Sequence, residues 1–191
     1  DHYKPLDEWE NLSINYTSGT TGKPKGVVYH HRGAYLNAMG NALEWDMKMH
    51  PTYLWTLPMF HCNGWCFPWT IAMRAGTNIC LRKVTGESIY EKISSHGVEY
   101  LCGAPTVLSF IINTDGYHVK KLSSTVKLMT AAAPPPAKIL EQIEKCGFDV
   151  THVYGLTEVY GPAVICKWKD EWNNLSATEK SNLKPRQGVS Y

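Results

Sequence analysis

Long apolar runs are missing from this sequence. The longest, Trp65 to Met73, is broken by Pro68 and falls far short of the ~20 residues a membrane-spanning helix needs. Basic runs are missing too. The formal charge is only +2 and is spread along the chain, which leaves no electrostatic footprint for nucleic acid. Charged residues make up 19 % against 43 % hydrophobic, which excludes a disordered polar tail. With 15 Gly and 11 Pro, collagen-like and low-complexity readings fall away. Six cysteines are too few for a disulfide scaffold of this size. Cys66, Cys80, Cys102 and Cys166 lie within apolar stretches, where reduced core cysteines are expected. Residues 1–8 are polar and acidic and carry no signal-peptide pattern, so the expectation is a soluble, cytoplasmic protein. Aromatic residues, by contrast, are plentiful: seven Trp and eleven Tyr supply large core fillers. The 191 residues suit one domain, or a large piece of a bigger one.

Strand-like and helix-like segments alternate along the chain. Leu12 to Tyr16 and Gly26 to Tyr29 read as strands around a Gly/Thr-rich loop. Arg32 to Trp45 reads as a helix, with Leu36, Met39 and Leu43 at helical spacing. Tyr53 to Leu57 is a strand ended by Pro58, and Asn63 to Ala75 a helix with Pro68 in its first turn or at a kink. The strand Thr77 to Leu81 precedes a helix over Ser88 to Ser95, with Ile89 and Ile93 on one face and Gly97 as its stop. Val98 to Cys102, Val126 to Thr130 and Val150 to Val153 are further strands. Helices over Pro105 to Ile112 and Ala137 to Cys146 separate them, the latter with a Glu141–Lys145 pair and Gly147 beyond it. Beyond Cys166 the chain reads as polar surface helix and loop. Such alternation predicts an α/β fold with a mainly parallel sheet and flanking helices, and ligand sites at the strand C-terminal ends.

Four segments carry chemistry. Thr17-Ser18-Gly19-Thr20-Thr21-Gly22-Lys23-Pro24-Lys25-Gly26 concentrates hydroxyls, glycines and lysines in one strand-to-strand loop, the composition a polyphosphate requires. It is not a Walker loop, because Lys23 precedes Pro24 and the glycine spacing differs. Tyr154-Gly155-Leu156-Thr157-Glu158 follows a strand and offers an aromatic platform, a hydroxyl and a hard oxygen for Mg²⁺; taken alone, it is more often explained by a packed Tyr and a solvated Glu. Thr130-Ala131-Ala132-Ala133-Pro134-Pro135-Pro136 is a small-residue turn that suits a flat ring, or simply a stiffened entry to a helix. In Pro58-Met59-Phe60-His61-Cys62-Asn63-Gly64-Trp65-Cys66, zinc at His61, Cys62 and Cys66 and a Cys–His nucleophile both come to mind. The spacing matches no usual zinc-ligand pattern. His30-His31 reads as turn or surface.

In this order, TSGTTGKPKG, LPMFHCNG, AAAPPP and YGLTE closely resemble the adenylate-forming (AMP-binding) superfamily of acyl-CoA synthetases, peptide-synthetase adenylation domains and luciferases. WTLPMFHCNGWCFPW and the tail from Trp168 to Gly188 resemble the branch of short- and medium-chain fatty-acid or aromatic-acid CoA ligases, which includes plant acyl-activating enzymes. The resemblance implies activation of a carboxylic acid by ATP to an acyl-adenylate and then an acyl-CoA thioester, with Mg²⁺ as cofactor and coenzyme A as co-substrate. The loop Thr17 to Gly26 would hold the β- and γ-phosphates, through Thr17, Ser18, Gly19, Thr20, Thr21, Gly22 and Lys25. Ala132 and Ala133 would line the adenine site, Tyr154 would stack on adenine, Gly155 would belong to the nucleotide site, Thr157 would bond the α-phosphate and Glu158 would hold Mg²⁺. His61, Trp65, Gly103 and Tyr160 would shape the acyl pocket. Thr17, Lys25, His61, Thr157 and Glu158 are thus the expected catalytic groups. Residues 1–191 would form the central part of the large AMP-binding N-terminal domain. The family's Gly-Asp ribose element and Lys-bearing C-terminal domain would lie outside them. The alternatives are a non-catalytic nucleotide-binding module, or an adenylation unit of the luciferase or peptide-synthetase type. A plant origin would allow the peroxisome in place of the cytoplasm.

Overall fold

The computed structural model describes residues 7–17, 22–116, 122–133 and 135–191. Strands β1 (Asn11–Tyr16) and β2 (Gly26–His30) form an antiparallel hairpin apart from the main sheet. Helix α1 (His31–Glu44) starts directly after it, and the Nδ1 atom of His30 caps it by accepting from the Gly33 N–H at 3.0 Å. The main sheet contains β3 (Thr52–Trp55), β4 (Thr77–Cys80), β5 (Tyr100–Gly103), β6 (Val126–Thr130), β7 (Phe148–Leu156), β8 (Gly161–Ile165) and β9 (Val189–Ser190), in the order β4-β3-β5-β6-β7-β8-β9. The pairs from β4 to β7 are parallel; β7–β8 and β8–β9 are antiparallel. The mainly parallel α/β sheet expected from the alternation is the one observed. The antiparallel edge was not expected, because the Gly161–Ile165 segment is short and opens on Gly-Pro.

Both faces of the sheet are covered, as parallel strands require. One face packs Leu54, Leu101, Leu128 and Val150 against α4 (Gly86–His96), α5 (Pro105–Ile112) and α6 (Ala137–Lys145). These helices follow local rules closely. Thr85 and Ser88 form a reciprocal capping box for α4, and Gly97 ends it at φ +61°. Pro105 opens α5, and the Glu141–Lys145 pair closes at 2.7 Å on α6. On the other face, Tyr53, Trp55, Tyr100 and Met129 meet Trp45 of the segment after α1, Trp65, and Phe67 and Ile71 of α3 (Phe67–Met73).

Three expectations need correction. No single helix spans Asn63 to Ala75: a one-turn α2 (Cys62–Trp65) is separated from α3 by left-handed backbone at Cys66, and Pro68 sits in the first turn of α3. In α1 the large residues do not face the core. Leu36 and Leu43 are 51 % and 66 % exposed, whereas Ala34, Ala38, Asn41 and Ala42 are buried. The small residues face inward because α1 lies close against α3 and β8. Cys80 is exposed, since β4 is the edge strand. A polar helix, α7 (Ala177–Leu183), follows the 3-10 turn Asp170–Asn174, in line with the surface character expected there.

Candidate active site

A cavity of about 180 Å³ opens at the C-terminal ends of β6 and β7, where ligand sites of parallel sheets form. Its walls come from three stretches distant in sequence. His61, Cys62 and Trp65 approach from the turn after β3, Ala131 and Ala132 follow β6, Gly155 and Leu156 end β7 and Thr157 follows it, and Gly161 and Pro162 of β8 complete the lining.

The first wall is built from unusual backbone. Cys62, Asn63, Gly64, Trp65 and Cys66 have φ of +47°, +41°, +57°, +57° and +64°, a consecutive left-handed run. Each non-glycine residue in that region costs about 1–2 kcal/mol, so neighbouring contacts must hold the run in place. They do so from two sides. The Asn41 side-chain amide donates to the Trp65 carbonyl at 2.8 Å, and the Asn37 amide to the Pro162 carbonyl at 2.7 Å. Ser13 Oγ and Asn15 Nδ2 both donate to Asn63 Oδ1, the latter at 2.7 Å, while the Asn63 N–H donates to Asn15 Oδ1 at 3.0 Å. Gly64 is required here, because a Cβ would meet the Trp55 ring at 2.8 Å. Ala132, on the second wall, is also left-handed, at φ +80°.

The hairpin β1–β2 is fastened to the same region. The Tyr29 hydroxyl donates to the Thr157 carbonyl at 2.7 Å, and the His30 N–H donates to the Tyr160 hydroxyl at 3.1 Å. The Tyr29 and Tyr160 rings stack at 4.1 Å. Where the hairpin opens, the Thr17 N–H donates to the Lys25 carbonyl at 3.0 Å and the Lys25 N–H to Thr17 Oγ1 at 3.2 Å. The loop that leaves this hairpin end therefore starts from a fixed base.

Cys62 is only 5 % exposed, and its Sγ lies 3.3 Å from Thr157 Oγ1. Burial pushes its thiol pKa up, but hydrogen bonding with His61, Thr157 and Tyr29 outweighs this and sets it below the ordinary thiol value. The His61 imidazole is raised by its contact with Cys62, which exceeds the opposing effect of burial. Cys66, four residues on, is pushed up to about 12 by burial and then by Cys62.

The expected site residues divide by location. His61, Trp65, Ala132, Gly155 and Thr157 converge on the cavity. Tyr154 lies just outside it with its ring 44 % exposed, and Ala133 is an exposed neighbour of Ala132. Glu158 is exposed in the 3-10 turn Thr157–Val159 and lines an adjoining groove with Tyr160 and α1. Thr17, Gly22 and Lys25 lie at the hairpin end; Ser18, Gly19, Thr20 and Thr21 fall outside the described residues. Two of the residues expected in the acyl pocket are not in the cavity lining. Tyr160 turns toward Tyr29 and the first turn of α1, where a Cβ on Gly33 would strike its ring. Gly103 is buried in β5 against Val107.

Asn15, Asn37, Asn41 and Tyr29 were not singled out from the sequence. A signal for two of them exists: Asn37 and Asn41, one turn apart, interrupt the small-residue face of α1. No group of three or more His, Cys, Asp or Glu able to hold a metal occurs among the described residues.

Comparison with known proteins identifies the family. The model of the AMP-binding enzyme family matches residues 1–189. A peroxisomal acetate/butyrate–CoA ligase of Arabidopsis thaliana is 50 % identical over 188 residues, 98 % of this chain and 33 % of its own length. A 2-methylpropanoate–CoA ligase of Humulus lupulus is 52 % identical over 185 residues, 97 % of this chain and 33 % of its own. The chain thus spans about a third of the length of these relatives. The inhibitor-bound N-terminal domain of FACL13 from Mycobacterium tuberculosis matches with a TM-score of 0.81 at 27 % identity, over 91 % of this chain and 44 % of that one. With its family model matched almost end to end, the chain belongs to the AMP-binding enzymes.

Proposed function

We propose that the protein of which these residues are part activates a short- or medium-chain carboxylic acid with ATP, releasing pyrophosphate, and then transfers the acyl group to coenzyme A. The observation that carries this reading is the convergence of His61, Trp65, Ala132, Gly155 and Thr157 on one cavity in a chain of this family. Its small volume and largely apolar lining suit a short acyl group better than a long chain. The relatives named as ligases of acetate, butyrate and 2-methylpropanoate support the same size range.

A carboxylate resists thiol attack because oxide is a poor leaving group. Joining it to AMP as a mixed anhydride supplies a good one. The protein's task is to set the carboxylate in line with the α-phosphate and stabilise the charge that develops, which is positioning plus electrostatics. In this reading His61 and Trp65 border the acyl group, and Thr157 donates its hydroxyl to the α-phosphate. Ala132, Ala133, Tyr154 and Gly155 form the adenine site, with the exposed Tyr154 ring as platform. The loop anchored at Thr17 and Lys25, including Gly22, takes the β- and γ-phosphates.

Glu158 fits the role of Mg²⁺ ligand: it is a hard oxygen donor, and among the described residues no ion pair engages its carboxylate. The bound cation would supply neutralisation of phosphate charge, with phosphate oxygens completing its shell. Residues 1–191 form the central part of a larger N-terminal domain, and the ribose ligand and a lysine bridging carboxylate and α-phosphate come from the remainder. The peroxisome is the favoured compartment, because the Arabidopsis relative is named so. No helix of the described residues is long and apolar enough to cross a membrane.

The test is to incubate the full-length protein with ATP, Mg²⁺, coenzyme A and a panel of C2–C12 and aromatic acids, following AMP release. Release that requires both a short acid and coenzyme A supports a ligase. Release without coenzyme A dependence would point to an adenylation unit, and nucleotide binding without release to a non-catalytic module.

A further inference from the structure

Cys62 differs from the other cysteines in what its sulfur faces. Cys66, Cys102, Cys146 and Cys166 are buried, and Cys66 and Cys166 direct their Sγ atoms at the carbonyls of Tyr160 and Leu183. Cys80 is exposed on the edge strand. Cys62 is as buried as the core thiols, yet it lines the cavity between His61 and Thr157, and the left-handed backbone aims it there.

We propose that Cys62 is a covalent modification site, a nucleophile toward small α,β-unsaturated carbonyl compounds that enter the cavity. Three features of the geometry support it. His61, the chain neighbour of Cys62, lines the same cavity and carries an imidazole that can accept the thiol proton. The Thr157 hydroxyl, 3.3 Å from the sulfur, is placed to donate to thiolate or to an incoming carbonyl oxygen. The opposite lining, Trp65, Ala131, Ala132, Leu156 and Pro162, is apolar and accepts a flat olefin. Among the described residues the cavity lining contains no carboxylate that would repel a thiolate. The hydrogen bonds that lower the thiol pKa act in the same direction.

The step balances without an added oxidant or reductant. His61 takes the thiol proton, the sulfur forms a bond to the β-carbon, and the olefin's π pair moves to the α-carbon as an enolate. The imidazolium then returns the proton to the α-carbon, leaving a neutral thioether. The adduct fills the cavity. This inference is independent of the proposed reaction, since it concerns the thiol and not turnover.

The experiment treats the folded full-length protein with acrylamide and maps adducts by peptide mass spectrometry over time, with Cys80 as the internal control for an exposed thiol. The expected result is one adduct per chain on Cys62, formed at least about tenfold faster than on Cys80. In His61→Gln, Cys62 labelling slows about tenfold while Cys80 labelling does not change, and in Cys62→Ser the fast adduct is absent. Faster labelling of Cys80 in the wild type overturns the proposal without reference to any variant. So does a Cys62 rate that survives His61→Gln in a variant whose thermal unfolding midpoint matches the wild type.

Discussion

The two faces of the main sheet treat left-handed backbone differently. On the aliphatic face, α4 and α6 end at Gly97 and Gly147, and the segment after α5 turns at Gly116; each adopts positive φ without a side-chain penalty. On the aromatic face and around the cavity, the same region of conformational space is occupied not only by Gly64 and Gly161 but also by Cys62, Asn63, Trp65, Cys66, Ala132 and Tyr160. One face is built for stability at low cost. The other holds side chains in positions that ordinary backbone would not give them, which is where strain belongs in a functional protein.

The sharpest way to break this contrast is a pair of alanine substitutions. A Cβ at Gly155 would fall 1.7 Å from the Gly161 carbonyl oxygen, in the β7–β8 pairing that closes the cavity. Gly155→Ala is expected to cost more than about 3 kcal/mol and to abolish activity, because backbone must move. Gly97→Ala meets open space and carries only the penalty of φ +61°, about 1 kcal/mol, with activity per folded molecule unchanged. Chemical denaturation of both variants checks the difference.

Next in size is Ile111→Ala on the aliphatic face. Ile111 is fully buried, and its truncation should lower stability by about 2–5 kcal/mol while leaving KM for ATP and acid alone. A changed KM would show that the two faces are not separable. On the cavity side, Trp65→Ala should shift preference toward bulkier acids by about tenfold in relative kcat/KM, read from a chain-length profile. Smallest in stability is Asn63→Gly. It keeps the left-handed turn while removing the side chain that receives Ser13 and Asn15. KM for ATP should rise severalfold with little change in Tm, because the substitution loosens the hairpin and not the core.

What could be read from the sequence follows the same division. Pro105 to Ile112 and Val126 to Thr130 were placed to the residue, and Gly97 and Gly147 marked the ends of α4 and α6, because periodicity and glycine stops are local signals. The cavity side was legible only as motifs. LPMFHCNG drew attention to a segment whose His61, Cys62 and Trp65 line the cavity, but helical spacing through Asn63 to Ala75 concealed a turn held by Asn15 and Asn41, residues 48 and 24 positions from the atoms they bind. The inward face of α1 is set by distance in the same way: Leu36 and Leu43 stand at helical spacing yet are exposed, whereas close approach to α3 selects alanines. Gly103 and Tyr160 lie off the cavity lining because Val107 packs over the first and the Tyr29 ring draws the second away, contacts between distant residues that no spacing encodes.

The central claim, that the strained side of the sheet carries acid activation, is tested most directly by ATP–pyrophosphate exchange in the full-length protein, with and without a short carboxylic acid, for the wild type and Glu158→Gln. The account predicts acid-dependent exchange in the wild type and a loss of well over tenfold in Glu158→Gln, which keeps the shape but removes the hard anionic oxygen. Exchange that ignores the acid, or that Glu158→Gln leaves untouched, would contradict it.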